Sequence, residues 1–140
     1  MQMTRHESRE LAFILLFEKN FQDAPVKEIL LSAGEARDVE ENAFALSLAE
    51  GTEQHWEEID GEISSCSHNW SKNRISRVAL SIMRLAVYEM KYQDEIPVSV
   101  SINEAVELAK TYGGDDDPSF VNGVLGGIAR KMEPAAVEGK

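Results

Sequence analysis

Apolar residues recur along most of this chain at spacings of three, four and seven, the period of helices packed on one face. The one strict alternation, Val98 to Ser101, is too short to support a sheet. Thr4 with Glu7 three residues on forms a reciprocal capping pattern, in which each side chain satisfies a backbone N–H that the first turn leaves unpaired. A first helix is therefore predicted from Arg5 to about Phe21. Its block LAFILLF, Leu11 to Phe17, is too continuous for a single stripe, so this helix is expected to be central and to meet neighbours on several sides. Arg5, His6 and Arg9 precede the block and are expected to project from the end of the bundle. Pro25 and Gly34 bracket a short second helix. Asp38 with Glu41 opens a long third one, with Val39, Ala43, Leu46, Ala49, Trp56, Ile59 and Ile63 along its stripe and soft points at Gly51 and Gly61.

The stretch SSCSHNWSKN, Ser64 to Asn73, is polar and turn-prone, with Trp70 to pin it down. It divides a single domain over 1–140 into an N-terminal three-helix subdomain, 4–66, and a C-terminal helical subdomain, 67–134. Beyond it Ile75, Val78, Ala79, Ile82, Leu85, Ala86 and Met90 form a clean stripe, and Arg77, Arg84 and Lys91, at heptad spacings on the other side, read as an outward basic row. Glu89 falls near the centre of the buried stripe, where an unpaired carboxylate is costly, which predicts a buried partner. Pro97 precedes a helix capped by Ser101 with Glu104, with Ile102, Ala105, Val106, Ala109 and Tyr112 toward the core and Gly113 and Gly114 at its end. Asp117 caps a last helix, with Pro118 in its first turn and Val121, Val124, Leu125, Ile128 and Met132 inward. The fold class is all-α: two tandem helical bundle subdomains.

Composition narrows the function. With 43% apolar residues in 140, the chain can fill a core without disulfides or metal. The single Cys66 fits a reducing compartment, and the cytoplasm is the simplest location. No apolar run approaches the roughly 20 residues of a membrane span, so no membrane is expected. A net charge of −11 argues against tight sequence-independent binding to nucleic acid, yet the excess is localised. Ten acids lie between Glu35 and Glu62 against Arg37 alone, and five bases between Lys72 and Lys91 against Glu89 alone.

Chemistry for catalysis is missing. His6, His55 and His68 are scattered, Cys66 and His68 lack further ligands, and Asp115 to Asp117 read as helix N-terminal electrostatics, so no metal or cofactor is expected. Gly123 and Gly127 lie one turn apart, away from their helix's stripe, and suggest a smooth outward groove. Phe120, about 100° off that stripe, suits either base stacking or packing at the core edge, and Asn122 offers a donor and an acceptor. Arg5 and Arg9 sit unfavourably near a helix N-terminus, a sign of an anionic ligand, although they also balance Glu7 and Glu10.

Three blocks in order, SRVALSIMRLAVYEM, IPVSVSINEAVELAKTYG and FVNGVLGGIARK, preceded by SRELAFILLFE, closely resemble the NusB family of bacterial transcription antitermination factors from about Thr4 to Met132. The resemblance implies a non-enzymatic protein that binds the box A element of nascent ribosomal RNA together with NusE, a small-subunit ribosomal protein, and helps load an antitermination complex on RNA polymerase. It implies phosphate contacts at Arg5, His6 and Arg9, base contacts at Phe120 and Asn122, and a lesser contribution from Lys110. Relatives usually begin with a denser arginine cluster than TRHESRE, so NusE is expected to supply much of the RNA surface. The acidic residues Glu53, Glu57 and Glu58 would then face that basic partner. The alternatives are a protein-only adaptor or homodimer, and an accessory domain such as those fused to ribosomal RNA cytosine methyltransferases.

Overall fold

A computed structural model describes residues 4–32, 42–67 and 75–132. These residues form seven helices and no strand: α1 (Arg5–Lys19), α2 (Val26–Leu31), α3 (Ala43–Gln54), α4 (Trp56–Ser65), α5 (Arg77–Tyr92), α6 (Val98–Tyr112) and α7 (Asp117–Met132). Gly34, the Asp38–Glu41 cap with Val39, His68 and Trp70 lie outside the described residues.

α1 begins as its sequence requires. Thr4 Oγ1 accepts from the Glu7 N–H at 3.0 Å, and the Thr4 N–H donates to Glu7 Oε1 at 2.8 Å. Leu11, Ala12, Phe13, Leu15 and Leu16 are buried against α2, α3 and α5, whereas Ile14 is exposed. The helix at the centre of the bundle is α5. It touches α1, α3, α4, α6 and α7, and every residue from Ser81 to Val87 is buried. One apolar cluster runs through all seven helices, and each large aliphatic side chain in it contributes about 1.5–3 kcal/mol by leaving water.

Several sequence expectations are corrected. The long third helix breaks in two at His55, whose N–H is shared between the Gly51 and Thr52 carbonyls at 3.2 Å, and neither glycine is the break. α6 starts at Val98, so Ser101 is not its cap but a buried residue one turn in, and the alternating VSVS run is simply the first turn of a helix. The outward basic row of α5 is covered at two of its three positions: Arg84 is buried on Asp60 and Lys91 lies between Glu58 and Glu62, whereas Arg77 stays exposed with its guanidinium 5.1 Å from the centroid of the exposed Phe21 ring. The expected glycine groove on α7 is interrupted as well, because a Cβ on Gly127 would meet Cys66 Sγ at 3.5 Å while Gly123 faces open space. Asp117 reaches back rather than forward. Its carboxylate accepts from the Gly114 N–H and from Ser76 Oγ, both at 3.0 Å, fastening the α6–α7 turn to the start of α5.

Gly51 is helical and buried because the Tyr88 ring lies on it: an added Cβ would stand 2.1 Å from Tyr88 Cζ. That ring is flanked by His55 and Tyr92, and its hydroxyl accepts from Gln93 Nε2, so it has little room to retreat. Gly51→Ala is therefore expected to destabilise the protein by about 1–3 kcal/mol despite alanine's better helix propensity. Gly61→Ala, with nothing within 4 Å of the new methyl, is expected to stabilise it by about 0.5–1 kcal/mol. Urea unfolding of the two variants measures both signs, and equal effects would show that the Tyr88 contact does not constrain position 51.

Candidate nucleic-acid interface

The candidate residues fall on two places in the fold: the first two turns of α1, and the stretch from the last turns of α6 into the first turns of α7. Arg5 is exposed at the end of α1, and its guanidinium lies over the Phe44 ring of α3 at 3.7 Å from the centroid. This contact holds a long cation in place without removing it from solvent. His6 is 55% exposed, with Nδ1 at 3.0 Å from Glu104 Oε1 on α6. The hydrogen bond to Glu104 raises the imidazole pKa above its ordinary value. Burial opposes the rise, the charges of Glu104 and Glu10 add to it, and Arg9 works against it.

Arg9 does not project. Its side chain is only 6% exposed, and Nε donates to both carboxylate oxygens of Glu89, at 3.0 and 2.9 Å. Glu89 is 2% exposed and also accepts from Ser101 Oγ at 3.1 Å, while Arg9 Nη1 lies 3.8 Å from Glu104. The partner that the position of Glu89 demanded is thus the arginine that had been placed at the surface. The cause is rotational: Arg9 stands seven residues before Leu16, two helical turns away on the same buried face. That spacing was the signal available in the sequence, and the charge of the side chain masked it.

Lys110 is exposed on α6 and pairs with Glu107 at 3.2 Å. Two residues on, Tyr112 donates its hydroxyl hydrogen to Glu10 at 2.7 Å and packs its ring on Phe13, tying the end of α6 to α1. Phe120 is half-buried at the edge of the apolar cluster, and Asn122 is exposed. The structure thus brings His6 and Arg9 together through Glu104, and places Lys110, Phe120 and Asn122 on the packed pair α6 and α7. Glu104, which meets His6 and lies near Arg9, is a neighbour of the candidate residues that the sequence did not reveal, because its spacing from Ser101 reads as a cap.

Among the described residues of the acidic segment, several are engaged within the fold. Glu53 accepts from Lys19 and from the Val26 N–H, and Glu58 holds Lys91, Tyr92 and His55. The hydrogen bond from Lys91, then that from Tyr92, holds the Glu58 carboxyl down at about 2. Glu57 is exposed. Among the described residues no group of three His, Cys, Asp or Glu side chains is placed to hold a metal ion, and no helix is long and apolar enough to cross a membrane.

The model of the NusB family matches residues 6–130. The transcription antitermination protein NusB of Acetivibrio thermocellus is 43% identical over 130 residues, covering 91% of this chain and 90% of that protein. That of Geobacter sulfurreducens is 41% identical over 131 residues, covering 91% and 95%. Among solved structures, T. maritima NusB superposes with a TM-score of 0.83 at 36% identity, over 93% of both chains. A crystal structure of antitermination factors NusB and NusE in complex with double-stranded RNA superposes at 0.76 with 25% identity, over 92% of this chain and 99% of that one. With the match running from the exposed imidazole of His6 to the last turn of α7, this chain belongs to the NusB family.

Proposed function

We propose that this protein acts in transcription antitermination: it binds box A RNA of nascent ribosomal transcripts jointly with NusE, and the pair helps assemble an antitermination complex on RNA polymerase. The observation that carries this reading is the end of α1, where Arg5 and His6 stay exposed in a chain so similar to a NusB seen with NusE and RNA. Arg5 and His6 serve phosphates, Lys110 adds a further charge, and Asn122 with the Phe120 ring serves bases. Arg9 contributes by holding α1 in place. So few cations on a chain of net charge −11 give weak affinity alone, and NusE supplies most of the remaining positive surface.

The test is titration of a labelled single-stranded box A RNA, with a double-stranded RNA alongside, with and without NusE at two salt concentrations. NusE is expected to tighten binding strongly and to favour the box A sequence. Arg5→Ala should weaken every RNA and make the log–log salt slope shallower by about 0.7, the value of one phosphate contact to a single strand. Phe120→Ala should cost about 1–3 kcal/mol of binding if its ring stacks on a base. If no RNA binds with or without NusE, the protein is a helical adaptor between proteins.

A further inference from the structure

We propose that Glu104 is a built-in competitor for the anion-contacting end of α1: its carboxylate takes the place on His6 that an RNA phosphate would take, so that bound RNA must displace it. This rests on the RNA-binding reading above and adds to it a residue that sets affinity. Glu104 reaches across from α6 to His6 at 3.0 Å and lies 3.8 Å from Arg9 Nη1. The pair is at the surface, with Glu104 27% and His6 55% exposed, within reach of a ligand approaching the end of the bundle. The arrangement repeats one turn along α6, where Glu107 holds Lys110, so two of the cations offered to RNA already carry a carboxylate from the same helix. An exposed pair of this kind is worth about 0.2–1 kcal/mol, enough to tax a competing phosphate by up to roughly fivefold and little enough for the phosphate to win.

Charge around His6 sets the conditions. Glu104 faces it from α6, and Glu7, Glu10 and Arg9 from its own helix. Glu104 therefore has two opposed effects, favouring the charged imidazole while covering it. They separate with pH: near pH 5.5, below its ordinary value, the imidazole is charged with or without Glu104, and only the covering remains; as the pH rises through its raised value the ring loses its charge and with it its pull on carboxylate and phosphate alike.

The experiment measures binding of labelled single-stranded box A RNA to the protein with NusE at fixed saturating concentration, for wild type, Glu104→Gln, His6→Gln and the double variant, at pH 5.5 and pH 8. Circular dichroism verifies that each variant is folded. Glu104→Gln is expected to bind about two- to fivefold more tightly than wild type at pH 5.5, with the gain shrinking at pH 8 and absent when His6 is already glutamine. An NMR titration of the His6 ring should show its midpoint falling in Glu104→Gln. If wild type binds RNA and Glu104→Gln binds it no more tightly, the competitor role is overturned while RNA binding stands. If the gain survives intact in the His6→Gln background, Glu104 acts only through general charge and the proposal is likewise overturned. If no variant binds RNA, the RNA-binding reading fails and the competitor falls with it.

Discussion

Replacing Arg9 by alanine is expected to lower the stability of the fold by about 3–5 kcal/mol, because it leaves the carboxylate of Glu89 buried with its main partner gone. Glu89 is 2% exposed in the last turn of α5, and without Arg9 it keeps only the hydroxyl of Ser101. In a protein of this size such a loss is a fall of roughly 10–17 °C in Tm. Glu89→Ala should cost a similar amount by stranding the guanidinium, whose other carboxylate, Glu104, lies 3.8 Å away. Arg9→Met with Glu89→Leu, which removes both charges and keeps apolar volume, should recover most of the loss, since paired burial of charge stabilises little relative to good apolar packing. Urea unfolding of the two single variants and the double variant measures this. The double variant also tests function: if Arg9 positions α1 without touching RNA, its affinity for box A RNA with NusE should remain within about twofold of wild type, whereas a phosphate contact would lose several-fold and flatten the salt dependence. A single-variant loss below about 1 kcal/mol, the scale of an exposed pair, would mean that the ion pair opens readily to water.

The same pair shows which parts of this molecule can be read from local pattern. Helix starts governed by neighbours in sequence were legible. Thr4 and Glu7 cap α1 as their spacing requires, and the stripe from Ile75 to Met90 marks the buried side of α5. Patterns with two competing uses were not. Ser101 and Glu104 have the spacing of a cap, but Ser101 is drawn to the buried Glu89 and Glu104 to His6, partners 12 and 98 residues away. The break at His55 has no local cause either; there the helix ends and restarts with Trp56 against Arg84 and His55 stacked on Tyr92 at 4.2 Å. Of the candidate RNA residues, Arg5, His6, Lys110 and Asn122 are exposed, Phe120 is both core edge and rim, and Arg9 is interior. Charge counts misled in one further respect. The acids of the middle segment and the basic row of α5 read as separate patches, yet α4 packs on α5 and brings Asp60, Glu58 and Glu62 against Arg84 and Lys91. These three acids are therefore paired with cations of their own chain, which leaves less of the apparent acidic face for a basic partner.

Arg84 is where that neutralisation is deepest, and Arg84→Ala is expected to cost about 2–4 kcal/mol, the lower side of the range for a buried pair because Asp60 is 24% exposed. The guanidinium donates from Nε to Asp60 Oδ1 at 2.7 Å and from Nη2 to Oδ2 at 2.9 Å, two parallel bonds that only a planar fork can make. Its flat face lies 3.9 Å from the centroid of Trp56, and Nη1 reaches Asn20 Oδ1 at 3.3 Å. Asn20 in turn donates to the Phe17 carbonyl and to Ser81 Oγ, both at 3.0 Å, so one side chain fastens the end of α1, the start of α4 and the middle of α5. Lysine keeps the charge but not the fork or the stacking surface, and Arg84→Lys should retain less than half of the stabilisation. A double-mutant cycle between Arg84→Ala and Asp60→Ala, followed by urea unfolding, should give a coupling above about 1 kcal/mol, beyond what an exposed pair supplies. Since Arg84 meets α1 through Asn20 at its C-terminal end, opposite Arg5 and His6, RNA affinity per folded molecule should not change in any of these variants. A lysine variant as stable as wild type would show that charge alone holds this junction, and that the stacking on Trp56 and the second bond to Asp60 contribute nothing.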